Sequence, residues 1–300
     1  MPGTNILITG TPRSGTTLTC HLLNKLPDTL ALHEPMRVKR FEAMSQAEIA
    51  QEIARFCVEQ RESVHTRGRA ISKNLEGAVP DNPIGEGRTD AGLRKSLVSR
   101  SEIVVDKPLA PDFALVIKHN SAFTAVLETL VAHFPVFGVI RNPLATLASW
   151  SSVEFSASSG YARAAERLDP DLKTRLASIH DDLDRQICLL DWFHGQFRRY
   201  LPDAAILRYE AVVATGGRAL SVVRPAAAQL DEPMRSRNTN TLYDHAAMRR
   251  IGERLLATDG AFWEWYTPES VSALLDELAA GGDTGHVVAG GAAPGGAARG

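Results

Sequence analysis

Short apolar runs alternate along the chain with stretches in which apolar residues recur at helical spacing. The runs predict strands at 5–9, 29–35, 102–106, 113–119, 136–142 and 204–210. The intervening stretches predict helices at about 16–25, 45–61, 123–133, 143–150 and 171–200. Strands that alternate with helices indicate a parallel sheet covered on both faces, with ligands at the carboxyl ends of its strands. We therefore predict a three-layer α/β fold with a mainly parallel central sheet.

One domain is expected over residues 1–280, with an insert of helix and loop at about 42–100. Within this insert, residues 64–92 are rich in glycine, proline and charge, which predicts a mobile loop over or beside the site. The stretch 281–300 lacks large apolar groups and cannot repay the entropy of ordering. We expect it to be a disordered tail.

The first predicted strand leads through a glycine-rich turn into a helix, as in a P-loop. In ITGTPRSGTTL, residues 8–18, Gly10 and Gly15 are five positions apart. Backbone N–H groups in such a turn converge on an anion, and the helix N-terminus adds partial positive charge. The pattern predicts phosphate binding by Arg13, Ser14, Gly15, Thr16 and Thr17. The alternative is that the two glycines only form a tight turn.

Thr16 stands where an ATP- or GTP-binding loop has its lysine, and the basic residue lies earlier, at Arg13. A guanidinium group binds a phosphate through two parallel hydrogen bonds, and nothing in this stretch guarantees a metal site. The turn therefore suits one terminal phosphate better than a magnesium-bound triphosphate.

A second polar pair follows the apolar strand 136–142. Arg141 ends this strand, Pro143 favours the first turn of the next helix, and Ser149 lies eight positions after Arg141. Together Arg141 and Ser149 could hold another phosphate. From spacing alone, Arg141 could equally pair with a carboxylate while Ser149 faces solvent.

Taken together, the two segments resemble those of the sulfotransferases that use 3′-phosphoadenosine 5′-phosphosulfate (PAPS). The matching residues are the run Pro12-Arg13-Ser14-Gly15-Thr16-Thr17 and the pair Arg141 and Ser149. The resemblance implies that the turn binds the 5′-phosphosulfate end of PAPS and that the pair binds its 3′-phosphate. It also implies transfer of a sulfuryl group to a hydroxyl of a small-molecule acceptor, without a metal and without a kinase-type lysine.

The same resemblance implies catalytic residues. Glu34 resembles the general base of the tyrosylprotein sulfotransferases, while Lys118 and His119 resemble the lysine and histidine of the cytosolic enzymes. Those two residues are separated by one position in the family and are adjacent here. Either Glu34 or His119 could be the base, and Lys107 is a rival to Lys118. Arg13 and Lys118 are expected to neutralise charge on the departing phosphate.

Two further matches are less specific. Tyr209, followed by a glutamate at the end of the strand 204–210, resembles a tyrosine that packs near the nucleotide in the family. The glycine-rich segment near the C-terminus of the cytosolic enzymes is missing, and residues 235–238 are the candidate replacement.

Net charge, cysteine content and apolar runs indicate which partners and which compartment to expect. With a formal net charge of −2, the chain has no global attraction for nucleic acid. Its three cysteines are far apart, and no apolar run approaches the roughly 18 residues of a membrane span. We expect a cytoplasmic protein with no nucleic-acid or membrane partner, and the Ala-, Arg- and Gly-rich composition suggests a bacterial source with specialised metabolism. The sequence identifies neither the acceptor nor the oligomeric state.

Two other functions compete with sulfuryl transfer. A P-loop small-molecule kinase would need a lysine after Gly15 and an acidic magnesium ligand at a strand end, where the chain has Thr16 and Arg141. A non-catalytic nucleotide-binding module would keep the phosphate-binding residues but tolerate the loss of Glu34 and Lys118.

Overall fold

The computed structural model describes residues 3–90, 92–239 and 243–282. Its strands are β1 (Asn5–Gly10), β2 (Thr29–His33), β3 (Arg69–Asn74), β4 (Ile84–Arg88), β5 (Arg94–Ser96), β6 (Ser99–Val104), β7 (Ala114–Lys118), β8 (Val136–Ile140) and β9 (Ile206–Arg208). Its α-helices are α1 (Thr16–Leu23), α2 (Gln46–Arg67), α3 (Ser121–Ala125), α4 (Leu127–Val131), α5 (Pro143–Ser151), α6 (Arg163–Glu166), α7 (Pro170–Ala177), α8 (Asp182–Tyr200), α9 (Tyr209–Ala214), α10 (His245–Leu256) and α11 (Pro268–Gly282). Short 3₁₀ helices lie at Val38–Ala43, Ser156–Ser159, Asp203–Ala205, Arg218–Val222, Pro225–Gln229 and Ala261–Glu264.

Five parallel strands form the central sheet, in the order β2-β7-β1-β8-β9. Successive side chains of a strand point to opposite faces, so β1 contributes to two apolar layers. Ile6 and Ile8 pack in a cluster with α1, whereas Leu7 packs in the cluster that contains residues of α2 and α8. Helices therefore cover both faces, and the predicted three-layer α/β fold with a parallel central sheet is confirmed.

The parallel arrangement brings the predicted site residues to one edge of the sheet. The P-loop-like turn follows β1, Glu34 follows β2, Lys118 ends β7, and Arg141 follows β8. Since parallel strands end at the same edge, residues that are far apart in sequence meet there.

The prediction of a loop over residues 64–92 is wrong. Helix α2 continues to Arg67, β3 pairs with β6 in an antiparallel ribbon, and β4 pairs with β5 in another. The expected strand at 102–106 is part of β6 and lies in the first ribbon, outside the central sheet. In β3 the buried positions carry Ala70, Ser72 and Asn74, and such small or polar residues conceal the alternation that marks a strand.

Three other boundaries differ from the prediction. The helix expected at 123–133 is divided into α3 and α4 at Val126, whose φ of −118° is not helical. The helix expected at 171–200 is α7 and α8, because Asp181 caps the start of α8 by accepting from the N–H of Asp184 at 2.9 Å. The strand expected at 204–210 ends at Arg208, so Tyr209 begins α9 instead of closing the strand.

Of the tail predicted at 281–300, residues 283–300 lie outside the described residues. Within the part of the chain that is described, no helix combines the length and the apolar character needed to cross a lipid bilayer.

Candidate active site

A cavity of about 500 Å³ opens at the carboxyl edge of the central sheet. Its lining includes most of the predicted site residues, namely Arg13, Gly15, Thr16, Thr17, Glu34, Lys118, Arg141 and Tyr209. The other three, Ser14, His119 and Ser149, are buried and do not line it.

The turn after β1 presents backbone N–H groups to this cavity. The first bond of α1 runs from the N–H of Thr19 to the carbonyl of Gly15 at 2.9 Å, so the preceding N–H groups have no partner within the helix. Gly15 has a φ of +91°, and a Cβ there would lie 2.7 Å from Cδ2 of Tyr209. Only glycine fits this position without strain and collision.

Ser14 holds the turn in place. Its hydroxyl donates to the carbonyl of Val139 in β8 at 2.8 Å and is fully buried. The indole N–H of Trp150 in α5 donates to the carbonyl of Pro12 at 2.6 Å. These bonds tie the turn to β8 and α5, and the Ser14 hydroxyl points to the sheet and not to the cavity.

Arg141, which directly follows β8, is buried against the turn and the 235–238 segment. Its guanidinium donates to the carbonyl of Arg237 at 2.6 Å, to Oδ1 of Asn238 at 2.8 Å and to the carbonyl of Arg13 at 3.2 Å. It also lies over the ring of Tyr209, 4.8 Å from the centroid. The segment proposed as a replacement for the family's glycine-rich stretch therefore contacts the arginine of the second motif.

Arg13 connects the two sequence motifs. Its Nε donates to the hydroxyl of Ser149 in α5 at 3.2 Å, and one terminal nitrogen donates to Oδ1 of Asn82 at 3.2 Å. Arg13 has a φ of +69°, a left-handed conformation that is uncommon for a residue with a Cβ. The backbone of the turn is therefore strained at Arg13, the residue whose side chain contacts Ser149.

Two residues that sequence reasoning missed lie beside this pair. Arg94 in β5 is 3% exposed, donates to the hydroxyl of Ser152 at 2.7 Å, and leaves its buried Nε without a partner. The buried phenol of Tyr243 lies close to Arg141, Arg13 and Ser149. Burial raises the pKa of Tyr243, but the two arginines and Ser149 outweigh it and lower the pKa overall.

The result is a cluster of three arginines, of which Arg94 and Arg141 are buried and Arg13 is half-buried. Among the described residues, Arg13, Arg94 and Arg141 have no carboxylate within 4.0 Å. Burial lowers the pKa of Arg13 to about 10, and Arg141, Arg94 and Arg237 contribute to the lowering while Tyr243 opposes it. Like charges held together away from water favour the binding of an anion.

A separate charged group lies at the ends of β2 and β7. Oε1 of Glu34 is 2.9 Å from Nζ of Lys118, and Oε2 is 2.6 Å from Nζ of Lys73. The Lys118 side chain is only 2% exposed. Burial raises the pKa of Glu34, but Lys118 and Lys73, with His33 and His119, outweigh it and hold the pKa well below its ordinary value. Glu34 is therefore a carboxylate that faces the cavity.

His119, the other candidate base, lies behind the cavity wall. Its Nε2 accepts the N–H of Met36 at 3.1 Å, and its ring lies 5.0 Å from that of Phe123. Burial lowers its pKa to about 3. With Nε2 occupied, this ring has no lone pair to offer an acceptor, because its Nδ1 carries the proton of the neutral form.

Lys107, the rival to Lys118, is engaged elsewhere. Its ammonium donates to the carbonyls of Asn24 at 2.8 Å and Leu26 at 3.1 Å, and to that of Thr29. Its positive charge offsets the partial negative charge of the carbonyls after the C-terminal end of α1, and Lys107 does not line the cavity. Lys73, which does line it, was missed because its strand falls in the segment predicted as a loop.

The described residues, 3–90, 92–239 and 243–282, contain no group of three or more His, Cys, Asp or Glu side chains that could hold a metal ion.

Comparison with known proteins gives little further information. No protein-family model matches the chain, and no curated protein matches it. Among solved structures, the chain is similar to the sulfotransferase STF1 of Mycobacterium tuberculosis H37Rv, at 14% identity and a TM-score of 0.33. The alignment covers 86% of this chain and 78% of that one. A likeness this weak carries no functional conclusion, so the site itself has to supply one.

Proposed function

We propose that this protein is a sulfotransferase that moves the sulfuryl group of PAPS to a hydroxyl of a small-molecule acceptor. The observation that carries the proposal is the cluster of the half-buried Arg13, which belongs to the P-loop-like turn, and the buried Arg94 and Arg141, none of which has a carboxylate within 4.0 Å in the described chain. PAPS has phosphate groups at two positions, and the site offers hydrogen-bond donors at two positions, the N–H groups of the turn and the guanidinium of Arg141.

The residues fit such a donor in three respects. The free N–H groups at the start of α1 suit the 5′ end, because N–H groups at a helix N-terminus favour an anion. Arg141, which lines the cavity, suits the 3′-phosphate, and the hydroxyl of Ser149 and the unpartnered Nε of Arg94, which are buried and do not line the cavity, are further donors. When bound, PAPS supplies an activated sulfuryl group attached to its 5′-phosphate.

Glu34 and Lys118 are the residues that we assign to the chemistry. In the transfer, the acceptor oxygen forms a bond to sulfur while the sulfur–oxygen bond to the 5′-phosphate breaks with its electron pair, and Glu34 takes the acceptor's hydroxyl proton. Lys118 and Arg13 neutralise the charge that develops on the departing phosphate, as in phosphoryl transfer. His119 receives no catalytic role in this scheme.

The acceptor would lie against the wall formed by the insert and the segment after α5. Arg94 and Val153 form a bridge between these two parts of the chain, and Ile84, Val153 and Phe155 give the cavity an apolar surface there. A hydroxyl carried on an apolar body suits this surface, because burial of apolar area supplies binding energy without further polar partners.

The test is radiolabel transfer from [³⁵S]PAPS to a panel of phenols, alcohols and sugars by the purified protein. We expect transfer to at least one acceptor, and Glu34→Gln should lower kcat by roughly 100- to 10,000-fold. The same variant should bind 3′-phosphoadenosine 5′-phosphate within about threefold of wild type, since Glu34 does not hold the donor. Nucleotide binding without any transfer would favour a non-catalytic module and contradict the proposal.

A further inference from the structure

Glu34 is held by a part of the chain that lies outside the central sheet. Its backbone has a φ of +43°, a left-handed conformation that is uncommon and strained for a residue with a Cβ. Such a conformation persists only where the surroundings hold it. The N–H of Glu34 donates to the carbonyl of Lys118 at 2.8 Å, which fixes one side of the residue.

The β3–β6 ribbon fixes the other side through three contacts with consecutive parts of the 33–36 segment. The hydroxyl of Ser72 accepts the N–H of His33 at 3.0 Å. Lys73, the next residue, reaches the carboxylate of Glu34 at 2.6 Å. Arg100, which lies opposite Lys73 in the ribbon, donates to the carbonyl of Met36 at 2.5 Å.

We propose that the β3–β6 ribbon is a clamp that holds Glu34 for proton transfer, with Lys73 as the positioning residue that contacts its carboxylate. The inference rests on the proposed function, in which Glu34 takes the proton of the acceptor. It gives the insert a role in the reaction that the P-loop-like turn and the Arg141–Ser149 pair do not reveal.

Several groups face the Glu34 carboxylate from the elements packed around it. They are Lys118 and His119 at the end of β7, His33 at the end of β2, Lys73 in β3 and the thiol of Cys20 in α1. Only the two lysines form ion pairs with it in the described chain. Because Lys118 is buried in the sheet whereas Lys73 is 35% exposed, Lys73 can be replaced with less disturbance to the core.

The experiment is a ¹³C NMR titration of the Glu34 carboxylate in the full-length protein, with its signal assigned by its loss in Glu34→Gln. In Lys73→Gln the pKa of Glu34 should rise by about one unit or more, because a nearby cation that favours the carboxylate is removed. Lys73→Arg should keep the pKa close to that of wild type. Lys95→Gln is the matched control, since Lys95 is an exposed lysine of the same insert whose carboxylate partner is Glu154, at 3.9 Å.

An unchanged titration of Glu34 in Lys73→Gln would overturn the clamp, even if the protein transfers sulfuryl groups. Because the titration needs no donor, the clamp and the proposed function can fail separately. Where transfer is found, the acidic limb of the pH profile of kcat/KM should move upward in Lys73→Gln together with the NMR value. A structural role alone would lower the rate at every pH without that movement.

Discussion

Arg13 donates from Nε to the hydroxyl of Ser149, a residue 136 positions further along the chain, at 3.2 Å. This bond joins the P-loop-like turn to the helix after Arg141, so the two motifs that resemble the PAPS sulfotransferases are in direct contact. Arg13 and Arg141, one from each motif, both line the cavity at the edge of the parallel sheet.

Arg141 is expected to account for recognition of the 3′-phosphate. Lysine keeps the charge but loses the planar fork, so Arg141→Lys should weaken binding of 3′-phosphoadenosine 5′-phosphate at least about tenfold while AMP changes little. Calorimetric titration of both nucleotides measures this. Arg218→Lys, a surface arginine paired with Asp231, is the control. Equal losses for the two nucleotides would argue against a 3′-phosphate role.

Substitution of Arg94 tests whether the insert contributes to the proposed anion site. Arg94→Met keeps much of the length of the buried side chain and removes its charge, so binding of the bisphosphate should weaken by roughly tenfold. The affinity should also become less sensitive to salt, because one fewer cation attracts the ligand. Titrations at low and high salt measure both effects, and unchanged binding in this variant would remove Arg94 from the site.

Gly15 should tolerate no side chain. In Gly15→Ala the new Cβ would collide with the ring of Tyr209, and the alanine would have to keep the positive φ of the glycine. Nucleotide affinity should therefore fall more than about tenfold. Gly77→Ala is a matched control, because Gly77 also has a positive φ, +83°, but a Cβ added there would meet no atom within 4 Å. Similar nucleotide affinity in the two variants would show that the contact with Tyr209 does not matter.

Buried histidines should make the fold sensitive to mild acid. Burial lowers the pKa of His194 to about 4, of His119 to about 3 and of His33 to about 2. Each of these histidines therefore makes its full contribution to the free energy of unfolding above the unfolded-state pKa of about 6.5. That contribution is lost as the pH falls towards the folded-state pKa, because the unfolded chain binds the proton first.

His194, which is remote from the cavity, isolates this effect. Between about pH 7.5 and pH 5.5, His194→Gln should lose about 1 kcal/mol less unfolding free energy than wild type. Denaturant unfolding at both pH values measures the difference, with His180→Gln, at a less buried histidine, as the control. A loss equal to that of wild type would mean that His194 becomes protonated without unfolding the protein.

The central sheet and most of the site residues at the carboxyl ends of its strands could be predicted from the sequence. The strands β1, β2, β7 and β8 carry mostly apolar residues and are almost entirely buried, and runs of apolar residues mark a sheet buried on both faces. The P-loop-like turn, Glu34, Lys118 and Arg141 each follow or end such a strand. Their meeting at one edge follows from the parallel topology alone.

The contribution of the insert could not be predicted in this way. Its ribbons are partly exposed, and their strands carry serine, lysine and arginine at positions where a buried strand has valine or isoleucine. Lys73 and Arg94 reach the site only through antiparallel pairing and the bridge to Val153, and a linear pattern does not encode such long-range contacts. The preference for Glu34 over His119 likewise depends on tertiary contacts, namely the bond from the N–H of Met36 and the burial of His119 outside the cavity lining.

The most direct test of the central claim is a calorimetric comparison of three nucleotides on the wild-type protein. We predict that 3′-phosphoadenosine 5′-phosphate binds at least about tenfold, or about 1.4 kcal/mol, tighter than AMP, and that ATP with magnesium binds weakly. If the 3′-phosphate adds nothing and ATP with magnesium binds best, the pocket is not built for PAPS and the kinase alternative replaces the sulfotransferase.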